Sequence, residues 1–166
     1  YQNLLLVEQP RGDWAITVLR QYLFSQFQYL LFQELEKNSD ERLKAIAIKS
    51  LKEIAYHIRW SKEWVIRLGD GTTESHRRMK TAIAELWCYI GEMFMAADYE
   101  KEFVNLPFLQ EQWNEKVKPV FEEATLSIPE NVFIQTGGKN GVHTEYLGFI
   151  LADMQYLQRS IPNAEW

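Results

Sequence analysis

The sequence predicts an all-α protein, an antiparallel bundle of helices. Three observations predict it. Apolar residues recur at spacings of three and four through five long segments. Capping residues stand where these segments begin, and Gly or Pro stands where several end. No segment carries the sustained two-residue alternation of a strand. One domain over residues 1–166 has the size to bury a core.

The elements follow in order. Leu4-Leu5-Leu6-Val7-Glu8 is a short apolar segment, and Pro10 and Gly12 turn the chain behind it. Asp13 is the N-cap of a helix from about Trp14 to Lys37, whose only charge between Trp14 and Gln33 is Arg20. Its apolar residues fall on nearly every side, so it is expected to be buried all round. One uncharged polar stripe survives at Gln21, Ser25 and Gln28. Asn38-Ser39-Asp40 caps a second helix, about Glu41 to Leu68, with Gly69 at C′. Ala47, Leu51, Ile54, Ile58 and Val65 form its main apolar stripe, and Ile46, Trp60 and Trp64 form a weaker one. Thr72-Thr73 opens a third helix, about Glu74 to Ala97. Pro107 suits the first turn of a fourth, about Pro107 to Leu126, which Pro119 should kink or split. A connector over residues 127–142 leads to a last helix from about Thr144 to Ser160, stopped near Pro162.

Composition narrows the function. Eighteen basic against 23 acidic residues give a net charge of −5, and no basic stripe appears, which argues against a nucleic-acid partner. No apolar run reaches membrane-spanning length. The single cysteine, Cys88, excludes an internal disulfide and suits a reducing cytoplasm. Aromatic residues make up 14% of the chain, which points to large buried surfaces, part of them shared with another chain. The chain begins at Tyr1 inside an apolar run, which reads as an internal start with N-terminal residues missing.

The stretch Lys52–Trp60, KEIAYHIRW, raises the question of metal chemistry. Helical di-iron sites use Glu-x-x-His, with both ligands on one helix face, plus carboxylates from facing helices. Here Ile54 stands three before His57, and Glu53 is rotated about 100° from it. The facing helix offers Gln21, Ser25 and Gln28 instead of acids. We read this as a degenerate site of Glu53, Ile54, His57 and Gln28, with His57 in a neutral polar network. His143-Thr144-Glu145 lacks the Pro-Cys-x-x-Cys that zinc deaminases need, and Thr144 or His143 reads as a helix cap. Gly137-Gly138-Lys139 precedes a helix start and would suit an anion, with Lys139 as the contact, though a flexible connector is the plainer reading. Cys88 reads as a structural thiol, and His76, in a charged first turn, as solvated.

Four stretches carry a resemblance: NLLLVEQPRGDW at 3–14, LKEIAYHIRWSKEWVIRLGDGT at 51–72, TGGKNGVHTEYLG at 136–148 and MQYLQRSIP at 154–162. They resemble the non-catalytic C subunits of bacterial phenylacetyl-CoA 1,2-epoxidases along nearly the whole chain. The resemblance implies a ferritin-like bundle and a partner A subunit that holds the di-iron centre and epoxidises the aromatic ring. It implies a structural, non-catalytic role for this chain, with no cofactor of its own and with Ile54 where the catalytic paralogue has its glutamate. Trp60 and Trp64 are the expected interface, Lys139 a contact to a CoA phosphate, and a homodimer within the complex a further expectation. Two alternatives stand beside it. One is a di-iron subunit using Glu53, His57 and acids from elsewhere. The other is a stand-alone helical interaction module.

Overall fold

A computed structural model describes residues 1–162; the last four positions of the expected 1–166 domain lie outside the described residues. Six α-helices follow in order: α1 (Leu5–Glu8), α2 (Trp14–Leu35), α3 (Glu41–Gly69), α4 (Thr73–Leu86), α5 (Leu106–Glu123) and α6 (Glu145–Ser160). No strand occurs among the described residues. The fold is an all-α bundle, as the periodicity predicts.

Local chemistry starts each long helix where the sequence places it. The Asp13 carboxylate accepts the Ile16 amide, and Asp40 accepts those of Arg42 and Leu43. Thr72 and Ser75 form a reciprocal capping box on α4. Asn105 caps α5 with Pro107 behind it in the first turn. These bonds satisfy amides that a helix leaves unpaired at its start.

The core runs through α2, α4 and α5, with α3 laid along α2. Val18, Leu19, Leu23 and Phe27 of α2 meet Met79 and Ile83 of α4 and Leu109, Trp113 and Phe121 of α5 in one apolar cluster. The Trp113 indole donates to the Leu23 carbonyl at 3.1 Å, so the largest buried side chain is also polar-satisfied.

Several expectations are corrected. The third helix ends at Leu86, not Ala97, and continues as two 3₁₀ turns, Trp87–Tyr89 and Gly91–Phe94. The reason is competition for one carbonyl. Continued α-helix would give the Cys88 carbonyl to the amide four residues on, but the Gln135 amide of the connector takes it at 2.8 Å. Pro119 does not split α5, which runs unbroken to Glu123. Pro119 is itself exposed, as is Glu115, whose carbonyl the proline leaves without its helical donor.

Gly69 does not act as a left-handed C′ residue, because α3 runs through it. A Cβ there would lie 2.4 Å from the Ala124 carbonyl oxygen, so glycine is needed for the close approach of α3 and α5. Nor is α2 buried all round: Trp14 is exposed, and Phe24, Leu31 and Phe32 are half-buried. The weaker stripe of α3 splits. Ile46 is exposed, whereas Trp60 and Trp64 each meet Trp14 edge-on at 5.6 Å.

Candidate functional site

The face that carries KEIAYHIRW is disposed as an ordinary helix surface. Ile54 is buried, Glu53 is exposed and His57 is half-buried, with Gln28 half-buried on α2. The Gln21 amide donates to the Ser25 hydroxyl at 2.7 Å, which realises part of the expected polar stripe. His57 does not join it. Among the described residues its ring makes no hydrogen bond, and only its backbone carbonyl is used, by the Ser61 hydroxyl at 2.6 Å. The donor set does not fit iron: the position that should carry an acid is an apolar side chain turned inward, and the nearby acid faces solvent. No group of three or more His, Cys, Asp or Glu among the described residues is placed to hold a metal.

The buried charge lies elsewhere, at the junction of α1, the 3₁₀ segment and the 136–144 loop. Two carboxylates organise it. Glu92, 2% exposed, accepts the Leu5 amide through one oxygen and the Gly137 and Gly138 amides through the other, each at 2.8 Å. Glu8, 1% exposed, accepts the Asn3 side-chain amide, His143 Nδ1, and both the amide and hydroxyl of Thr144. His143 Nε2 faces the Tyr1 carbonyl at 2.9 Å, so the ring bridges α1 and the first residue of the chain. Thr144 thus stands at the N-cap of α6 without capping it, because its hydroxyl is drawn to Glu8 instead.

Lys139 completes the junction and overturns the anion reading of its loop. It is 6% exposed, its ammonium pairs with Glu100 at 2.9 Å, and it donates to the Met93 and Met95 carbonyls at 3.1 Å each. All three protons of the ammonium have partners, which leaves none for a phosphate. Glycine is obligatory beside it: a Cβ on Gly138 would lie 2.1 Å from the Asn3 carbonyl oxygen. The Gly-Gly-Lys loop is therefore a fastening between the N-terminal segment and the bundle, not an open cradle.

Burial of Glu8 acts to raise its pKa. Hydrogen bonds from the Thr144 side chain, the Thr144 amide, His143 and Asn3 outweigh that and hold it below its ordinary value of 4.5. A carboxylate with a depressed folded-state pKa adds stability that is complete above the unfolded value and is lost as pH falls through the folded one. We expect stability to decline on acidification below about pH 4.5, with the Glu8→Gln variant showing a shallower decline. Denaturant titrations of both proteins between pH 3 and 6 check this. Identical pH slopes would assign the acid sensitivity to other groups.

Sequence reasoning missed Glu8, Glu92 and Glu100. Acids in the apolar stretches LLLVEQP and IGEMF are the signal that could have found Glu8 and Glu92, since an unpaired charge is not tolerated in a core, whereas Glu100 sits among other charges and carries none. His76 is likewise corrected. It is half-buried, with Nδ1 2.7 Å from the Gly69 carbonyl. Cys88 is half-buried and burial raises its pKa, in keeping with a structural thiol. Apolar side chains are left open along α6, as they are on the 128–134 connector. No described residue of that helix is buried, and Phe149, Met154, Tyr156 and Leu157 are exposed. Trp60 and Trp64, by contrast, are partly engaged within the chain by Trp14.

Fold and site together define an all-helical bundle protein whose buried carboxylates fasten backbone segments to one another. No helix among the described residues is long and apolar enough to cross a membrane. The chain belongs to the phenylacetic acid catabolic protein family, whose model matches residues 1–166. It is 42% identical over 172 residues to the C subunit of 1,2-phenylacetyl-CoA epoxidase from Escherichia coli (strain K12), a match that covers all of this chain and 69% of that protein.

Proposed function

We propose that this chain is a non-catalytic subunit of a phenylacetyl-CoA epoxidase complex in aerobic phenylacetate degradation, acting in the cytoplasm. Its partner is the catalytic A subunit, which holds the di-iron centre, and this chain supports that subunit by packing against it. Identity of 42% to the C subunit of such an epoxidase, along the full chain, supports the assignment to the complex. The observation that carries the non-catalytic role is Ile54: a buried apolar residue at the position where a Glu-x-x-His motif ending in His57 requires an acid. The open apolar surface of α6 supports a role in assembly, because contiguous exposed apolar area marks interaction sites.

Anaerobic loading of the full-length protein with Fe(II), desalting and iron analysis tests the reading, with the catalytic subunit as positive control. The expected result is no retained iron here and iron in the control. Two irons per chain would overturn it and make Glu53 and His57 the first residues to replace.

A further inference from the structure

A cleft separates α4 from the connector that follows α5. Its volume is about 470 Å³, within the range of small-molecule sites. Ile83 of α4, Trp87 of the 3₁₀ turn that follows it, and Leu126 and Val132 of the connector give it apolar walls. Its polar groups are His76, Lys80 and Thr125, with Ser127 beside them. An apolar hollow with a few convergent polar groups is the usual form of a binding site.

The polar groups are held in place. His76 Nδ1 lies 2.7 Å from the Gly69 carbonyl, and the Thr125 hydroxyl donates to the same oxygen at 3.3 Å. That carbonyl closes α3 beside the tight Gly69–Ala124 approach, so α3, α4 and α5 all meet at the polar group of the cleft. Thr125 takes a φ of 57° as the left-handed residue that ends α5, with its amide on the Glu122 carbonyl and the Leu126 amide on the Phe121 carbonyl, so the helix stop fixes the connector at the edge of the cleft.

Charge selects the occupant. Arg77 and Arg78 are committed to Glu74, each at 2.8 Å. Lys80, one turn beyond His76 on the same face of α4, is exposed and forms no ion pair among the described residues. A cleft with apolar walls and an uncommitted ammonium complements an anion with an apolar body. We propose that it binds a small monocarboxylate, with the acyl or aryl body between Trp87 and Val132 and the carboxylate at Lys80. This assignment does not rest on the epoxidase reading.

The test is calorimetric titration of the full-length protein with hexanoate and benzoate, with hexanol, benzyl alcohol and benzylamine as uncharged and cationic controls. The expected result is saturable binding of one or both carboxylates and at least tenfold weaker binding of every control. Whichever carboxylate binds tighter tells an acyl from an aryl body. Lys80→Ala, at an exposed position, should weaken the carboxylate about tenfold, the loss of one charge-assisted hydrogen bond. Ala84→Trp, at an exposed residue of the rim, should abolish binding by filling the cleft. No saturable binding, equal affinity for hexanol and hexanoate, or binding unchanged in both variants would each overturn the proposal.

Discussion

Replacing Lys139 by Met is expected to destabilise the protein by roughly 3 kcal/mol, the low end for breaking a buried pair. The change removes a charge that is 7% exposed and leaves its partner Glu100, 19% exposed, without a cation. It also strips the Met93 and Met95 carbonyls of a donor. Methionine fills nearly the same volume, so the loss reports the charge rather than a cavity. For a chain of this size the midpoint of thermal unfolding should fall by roughly 6–12 °C. Lys139→Met combined with Glu100→Gln should recover part of that loss, because the stranded carboxylate is gone while one acceptor for the Ala97 amide remains. A single variant as stable as the parent, or a double variant whose losses simply add, would refute the ion-pair account.

Glu92→Leu should have an effect of similar size, concentrated in two segments. Three amides, those of Leu5, Gly137 and Gly138, would lose their acceptor where little water reaches them. Each buried amide left unpaired costs about 1–3 kcal/mol, so a loss of roughly 3 kcal/mol or more is expected. Hydrogen exchange should locate it: residues 1–12 and 136–148 should lose protection well before α2 and α5 do. Glu92→Gln should fall between, since its amide oxygen still accepts but its NH₂ group meets a backbone donor. Unaltered exchange in both segments would show that Glu92 is a passenger at this junction.

The helices were legible because periodicity and caps are local. Asp13, Asp40 and Thr72 cap where the sequence places them, since each reaches an amide two or three residues away. The third helix was misjudged at its end for the opposite reason. Its pattern stays helical through Phe94, and only the Gln135 amide, 47 residues after Cys88, draws off the carbonyl that a further α-turn requires. The 3–14 and 136–148 stretches stood out as motifs before their relation was known. Glu8 reaches His143 and Thr144 between them, a contact spanning 135 residues that no local pattern encodes.

The candidate site divides in the same way. Ile54 in place of an acid is a matter of covalent sequence, and burial adds only that it faces inward. Lys139 reads from sequence as an exposed cation in a glycine loop, yet the folded chain turns it inward, because Glu100 and two carbonyls offer it more than water does. The cleft beside Trp87 was not legible at all, for its walls come from two segments some 40 residues apart. The sequence by itself determined the helical class, the helix starts and the absence of an acid before His57, all set by residue type and short-range spacing. Tertiary structure alone decided which charges are buried, which glycines are obligatory and where a hollow opens, because desolvation and close approach depend on partners that only folding brings together.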